Sequence, residues 1–152
     1  MAGSPLYVGI GNSFRSDDGV GPWIAGELGA RGRDTKVHAG DGTGLIDLFQ
    51  ERGSIVLIDA TQSGVEPGTL VTFDAIADRL PAEFFRYSTH RFALAEAVEI
   101  ARHLGLLPKE LMVYGIEGAI FEPGTSLSAP VRAAAEGLVD RLARQMQPQG
   151  AV

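Results

Sequence analysis

The sequence predicts an α/β fold, a three-layer single domain in which a mostly parallel mixed sheet is covered by helices on both faces. Three observations carry that prediction. Short aliphatic runs such as Leu6-Tyr-Val-Gly-Ile10 and Ile55-Val-Leu-Ile58 lack polar alternation, which suits strands buried on both sides. Segments with apolar residues at helical spacing separate those runs, and such alternation marks layered α/β domains. The 152 residues, 45% of them hydrophobic, amount to one ordinary domain able to bury a core, and no internal repeat or long linker divides them.

Leu6 to Ile10 reads as the first strand and runs into the glycine-rich stretch GIGNSFRSDDGVG, Gly9 to Gly21. A helix follows from Pro22 to about Leu28, with Trp23, Ile24 and Leu28 on one face. Lys36 to Ala39 is a short second strand, succeeded by the loop Gly40-Asp-Gly-Thr-Gly44 and a short helix over Leu45 to Glu51. Ser54 to Ile58 is the clearest strand and ends at Asp59. Gly and Pro within Gln62 to Gly68 mark turns, after which Thr69 to Phe73 returns as its hairpin partner and makes the sheet mixed. Leu94, Ala97, Val98, Ala101 and Leu104 give an amphipathic period over Phe92 to Leu104. Leu111 to Tyr114 is a strand. Ser128 is placed to cap a last helix whose buried stripe is Val131, Ala134, Ala135, Leu138 and Leu142, and the tail from Gln145 to Val152 is expected to fray.

Composition removes several function classes. Thirteen Lys+Arg against 19 Asp+Glu give a formal charge of -6, and no basic run is segregated from the rest, so the chain is not expected to bind nucleic acid. The absence of Cys eliminates disulfides, thiolate metal sites and a cysteine nucleophile, and fits a reducing cytoplasm. The opening MAGSPLYVGIG lacks a secretory pattern, and no aliphatic run approaches the length of a membrane span. A cytoplasmic protein without membrane insertion is expected.

The first loop begins like a phosphate cradle but fails as a dinucleotide fingerprint, because Phe14 stands where a third glycine is needed. Asp17 and Asp18 would also set negative charge beside a pyrophosphate. On the plainer reading one aspartate caps the next helix and the other is solvated. On the functional reading one caps and the other faces a cleft. Asp59 follows the most buried strand at the carboxyl edge, where ligands collect in open α/β sheets, although such an aspartate alone is commonly a cap. His90 alone is equally consistent with a surface or capping histidine.

Together these residues mean more. If the first and third strands are parallel neighbours, Asp18 and Asp59 approach one rim, and the helix starting near Phe92 brings His90 to it. Two carboxylates and an imidazole suit a borderline divalent ion such as zinc or nickel, with a coordination position left open. His38, within a strand, and His103, near a helix end, are weaker candidates. There is no H-E-x-x-H and no G-x-S-x-G. The paired acids suggest an aspartic dyad, but adjacent residues on a loop normally point apart.

Five short motifs occur in one order over almost the whole chain: Gly9-Ile-Gly-Asn12 with Asp17-Asp-Gly19, Asp41-Gly-Thr43, Leu57-Ile-Asp-Ala60, Thr89-His90, and Tyr114-Gly-Ile-Glu117 with Glu122-Pro-Gly124 and Leu127-Ser128. In this order they resemble the hydrogenase maturation endopeptidases, which remove a C-terminal peptide from the large subunit of nickel-iron hydrogenases after nickel insertion. The resemblance implies a large-subunit precursor as partner and its bound nickel as the recognition element, replaceable in vitro by zinc or cadmium. It also implies that Asp18, Asp59 and His90 are the catalytic and metal-contacting residues. Water would be activated by the metal or by a free carboxylate such as Asp17. One departure is Gly118 after Glu117, where many relatives have Pro. Two rival readings are a noncatalytic nickel-dependent binding module or chaperone for the immature subunit, and a magnesium-dependent phosphohydrolase using Asp18 and Asp59.

Overall fold

The structure, a computed structural model, describes residues 4–82 and 94–145. Five strands, β1 (Leu6–Ile10), β2 (Thr35–His38), β3 (Ser54–Thr61), β4 (Leu70–Asp74) and β5 (Glu110–Glu117), form one sheet in the order β2-β1-β3-β5-β4. The pairs β1·β2, β1·β3 and β3·β5 are parallel, and β4 lies antiparallel on the edge. The expected mixed α/β sheet is therefore present. The partner of β4 differs from expectation: it pairs with β5, not β3. All eight residues of β3 are buried between β1 and β5, whereas the half-exposed residues of β4 fit a sheet edge.

Helices α1 (Val20–Ala30) and α4 (Ala129–Gln145) cover one face, and α2 (Gly42–Leu48) and α3 (Leu94–Leu104) cover the other. Because successive strand residues point to opposite faces, Ile58 packs with Ile24, Leu28 and Leu138, while Leu57 packs with Leu45, Leu48 and Val98. Ile24 and Leu57 are fully buried, each a contribution of about 2 kcal/mol from apolar burial.

Several boundaries move for identifiable reasons. α2 begins inside the expected loop because the Asp41 carboxylate accepts a hydrogen bond from Gly44 N at 3.0 Å and caps it. The buried stripe of α3 stops at Ala101, since Leu104 is 61% exposed beyond the last turn over the sheet. The Ser128 hydroxyl, expected to cap α4, is donated to Asp17 instead. Phe92, His90 and the tail beyond residue 145 lie outside the described residues.

Close backbone approach sets the geometry of the sheet's carboxyl edge. A Cβ on Gly21 would press on the carbonyl oxygens of Ile10 and Ile58, so the amino end of α1 sits directly against the ends of β1 and β3.

Candidate active site at the carboxyl rim

The carboxyl edge has a step. β1 pairs with β3 through Gly9↔Ile58, whereas β3 and β5 continue together to Thr61↔Glu117. Asp59 is the first residue of β3 past that paired register. It therefore lies within the strand, not after it as the sequence suggested, because the ladder to β5 carries β3 onward. Opposite it on β5 is Gly115, which brings no side chain alongside. Asp59 is 6% exposed, and its Oδ1 accepts from Ala60 N at 2.8 Å. Strand alternation turns it, with Ile55 and Leu57, toward the α2–α3 face.

Asp18 reaches the same rim from the other side of the step. It belongs to the 3-10 turn Ser16–Gly19, which follows the glycine loop and packs against β3. Its carboxylate is buried and its Oδ2 accepts from Asn12 N at 2.9 Å. The loop thus offers a backbone N–H as a phosphate cradle does, but offers it to a carboxylate of its own chain. Gly11, at φ 140°, makes this possible, since a side chain there would collide with Asp18 O. An anion such as phosphate would compete with Asp18 for that N–H, which weakens the phosphohydrolase reading.

Asp17 has a different task from the one expected. It is fully buried, and its carboxylate accepts from Ala119 N (2.8 Å), Ile120 N (3.0 Å), Ser128 N (2.8 Å) and Ser128 Oγ (2.8 Å). Burial alone would raise its pKa; the bonds from Ser128, Ala119 and Ile120 outweigh that and hold it below the ordinary carboxylate value. A carboxylate closed in this way is no base for water. Nor is either aspartate solvated or bonded as the cap of α1, whose N-cap is Gly19 without a side-chain bond. The adjacent acids do point apart, Asp17 into the segment 119–128 and Asp18 onto Asn12.

Glu117 is a fourth buried carboxylate, 2% exposed at the end of β5. Its Oε1 accepts from Thr61 Oγ1 (2.8 Å) and Ser63 Oγ (2.9 Å), its Oε2 from Gly64 N (3.0 Å), and the two oxygens share Ser63 N, at 2.9 Å from Oε2 and 3.1 Å from Oε1. It fixes the chain leaving β3, two residues after Asp59. The sequence reading assigned it no such role; the usable signal was the hydroxyl-bearing stretch Thr61-Gln-Ser63 at the end of the neighbouring strand.

The weaker candidates have local partners. His38 Nδ1 accepts from Gly40 N at 2.8 Å, with Nε2 4.0 Å from Asp41 Oδ1, and His103 Nδ1 lies 2.9 Å from Glu99 O. Among the described residues no group of three or more His, Asp or Glu side chains is arranged to hold a metal ion. The described part of the expected trio is the pair Asp18 and Asp59; His90 lies outside it.

An open α/β sheet with buried acids at a stepped carboxyl rim defines a protein that works at the ends of its strands. The particular family follows from comparison: residues 33–145 match the model of the hydrogenase maturation protease family, and the chain belongs to that family. It is 32% identical over 139 residues to hydrogenase expression/formation protein HupM of Azotobacter chroococcum, covering 86% of this chain and 66% of that one. The chain thus spans about two thirds of that relative's length. Against the hydrogenase 3 maturation protease of Escherichia coli it is 27% identical over 139 residues, covering 88% and 85% of the two chains. The fold is shared with the solved hydrogenase-maturating endopeptidase HybD of E. coli, with a TM-score of 0.74 at 23% identity over 95% and 92% of the two chains.

Proposed function

We propose that this chain is an endopeptidase that removes the C-terminal extension of a nickel-iron hydrogenase large-subunit precursor after nickel insertion, reading the inserted nickel as its signal. The observation that carries the reading is the pair of buried carboxylates, Asp18 and Asp59, either side of the β1–β3 step in a chain of this family. The course of α3 supports His90 as the third member. Arg102, near the end of α3, donates to Ala75 O at 2.6 Å, and Ala75 N bonds Leu111 O at the start of β5. α3 therefore runs away from the carboxyl rim, and its first turn, four residues after His90, starts on the rim's side.

Nickel enters as cargo held by thiolates of the substrate. Carboxylate and imidazole groups can add contacts to it, while a chain with no Cys lacks the soft ligands that would draw it away. Zinc or cadmium, similar in its preference for such donors, would stand in for nickel in vitro. Docking on the ion positions the scissile peptide, so occupancy of the precursor becomes a condition for cleavage. With Asp17 closed off, water activation falls to the substrate-borne ion or to a rim carboxylate. The absence of Cys and of any described helix long and apolar enough to cross a membrane fits work in the cytoplasm.

The test is purified chain mixed with nickel-loaded large-subunit precursor, with the product mass measured. Loss of a C-terminal peptide is expected. Stable binding without any change in precursor mass would favour the noncatalytic chaperone and overturn the peptidase reading.

A further inference from the structure

Asp17 and Asp18 are consecutive in a four-residue turn, so whatever fixes the backbone at one fixes the origin of the other's side chain. The restraints on that turn come from one distant segment. Ser16 has φ 54°, the left-handed region, where a non-glycine residue persists only if its surroundings over-determine it. Its N–H donates to Gly124 O at 2.9 Å and its hydroxyl to Glu122 O at 2.7 Å. The N–H of Asp17 donates to Ile120 O at 2.9 Å, and its carboxylate receives the four bonds from Ala119, Ile120 and Ser128. Asp18, held by Asn12 N, projects from the other side of the same turn.

We infer that Asp17 is a positioning residue: its buried carboxylate is the anchor by which the 119–128 loop holds the Ser16–Gly19 turn, and through it sets the Asp18 carboxylate at the rim. The consequence for catalysis rests on the peptidase reading. The donor pattern explains why the residue is an aspartate and not its amide. Oδ1 faces Ser128 N, and Oδ2 faces Ala119 N and Ile120 N. A hydroxyl can turn to accept, but a backbone N–H cannot. Either orientation of an asparagine therefore sets its NH2 group against a backbone donor and pushes the two loops apart.

The experiment compares wild type, Asp17→Asn and Ser128→Ala on nickel-loaded precursor, at a temperature where circular dichroism shows each folded, together with crystal structures of the variants. Asp17→Asn is expected to lower kcat about 100-fold, the scale of a misplaced catalytic group, with a much smaller rise in KM, because Asp59 and the rest of the docking surface are left in place. Ser128→Ala, which keeps the three backbone N–H bonds, lowers kcat less and decides the matter if Asp17→Asn does not fold. In the variant crystals the Asp18 carboxylate is expected to leave Asn12 N. A folded Asp17→Asn with kcat within about twofold of wild type, or with Asp18 still on Asn12 N, overturns the inference, as does a Ser128→Ala kcat equal to wild type where Asp17→Asn is unfolded. Failure of the wild type to cleave counts against the peptidase reading alone, and the Asp18 position in the crystals then decides this one.

Discussion

Asp17 and Ser128 are joined twice, Ser128 N to Oδ1 and Ser128 Oγ to Oδ2, both at 2.8 Å, across 111 positions of sequence. The start of α4 and the loop after β1 are thereby fixed to each other beneath the rim that carries Asp18.

Stability should report that junction. Removing the charge leaves buried donors facing an amide, so Asp17→Asn is expected to cost about 3 kcal/mol in denaturant unfolding at pH 7. Asp17 has a lower pKa folded than unfolded. Its contribution is whole above the ordinary carboxylate range and is lost as pH falls through the folded value. The stability gap between wild type and variant should therefore narrow in acid; a gap constant from neutral pH down to strong acid would contradict the assignment.

Glu117 should tolerate what Asp17 does not. Oε1 faces two hydroxyls, which can turn to accept from an amide, and shares the Ser63 N–H at 3.1 Å with Oε2, which holds that N–H more closely, at 2.9 Å, together with the N–H of Gly64. Glu117→Gln is expected to change stability by less than about 1 kcal/mol and Glu117→Ala to cost about 3 kcal/mol. Thermal melts of the two variants measure the difference, and equal losses would refute the pairing of oxygens to partners.

Two glycines of one helix should respond in opposite directions. Gly21→Ala drives a methyl into Ile10 O and Ile58 O and is expected to cost about 3 kcal/mol or more. Gly26 is exposed in the middle of α1 with nothing within 4 Å of an added Cβ, so Gly26→Ala should gain about 0.5–1 kcal/mol. A Gly21→Ala unfolding midpoint at or above that of wild type would show that α1 does not rest on the strand ends.

Asp59→Asn and Asp18→Asn are expected to reduce processing of a nickel-loaded precursor by about 100-fold or more, the scale of losing a group at the reacting centre, with melting temperatures near wild type. His90→Ala is expected to do the same. A folded Asp59→Asn that processes at the wild-type rate would remove Asp59 from the site.

Much of this was legible in the sequence because burial writes itself into composition. The unbroken Ile55-Val-Leu-Ile58 run announced a central strand, and the regular apolar spacing from Leu94 to Ala101 announced α3. Asp18 and Asp59 could be placed on one edge once β1 and β3 were taken as parallel neighbours. The partner of β4 was not legible, since strand order is settled by which faces remain to be covered and local pattern is silent on that. The end of β3 was obscured by Asp59 and Thr61, polar residues that the ladder to β5 carries as strand. The role of Asp17 was hidden because every group that binds its carboxylate lies more than 100 residues away.

The most direct measurement of the central claim is the rate of C-terminal cleavage of one large-subunit precursor prepared with and without nickel, followed by mass spectrometry with the same purified enzyme. Cleavage confined to the nickel-loaded form, and abolished in it by Asp18→Asn, is the predicted result. Equal cleavage of the loaded and empty precursors would contradict it.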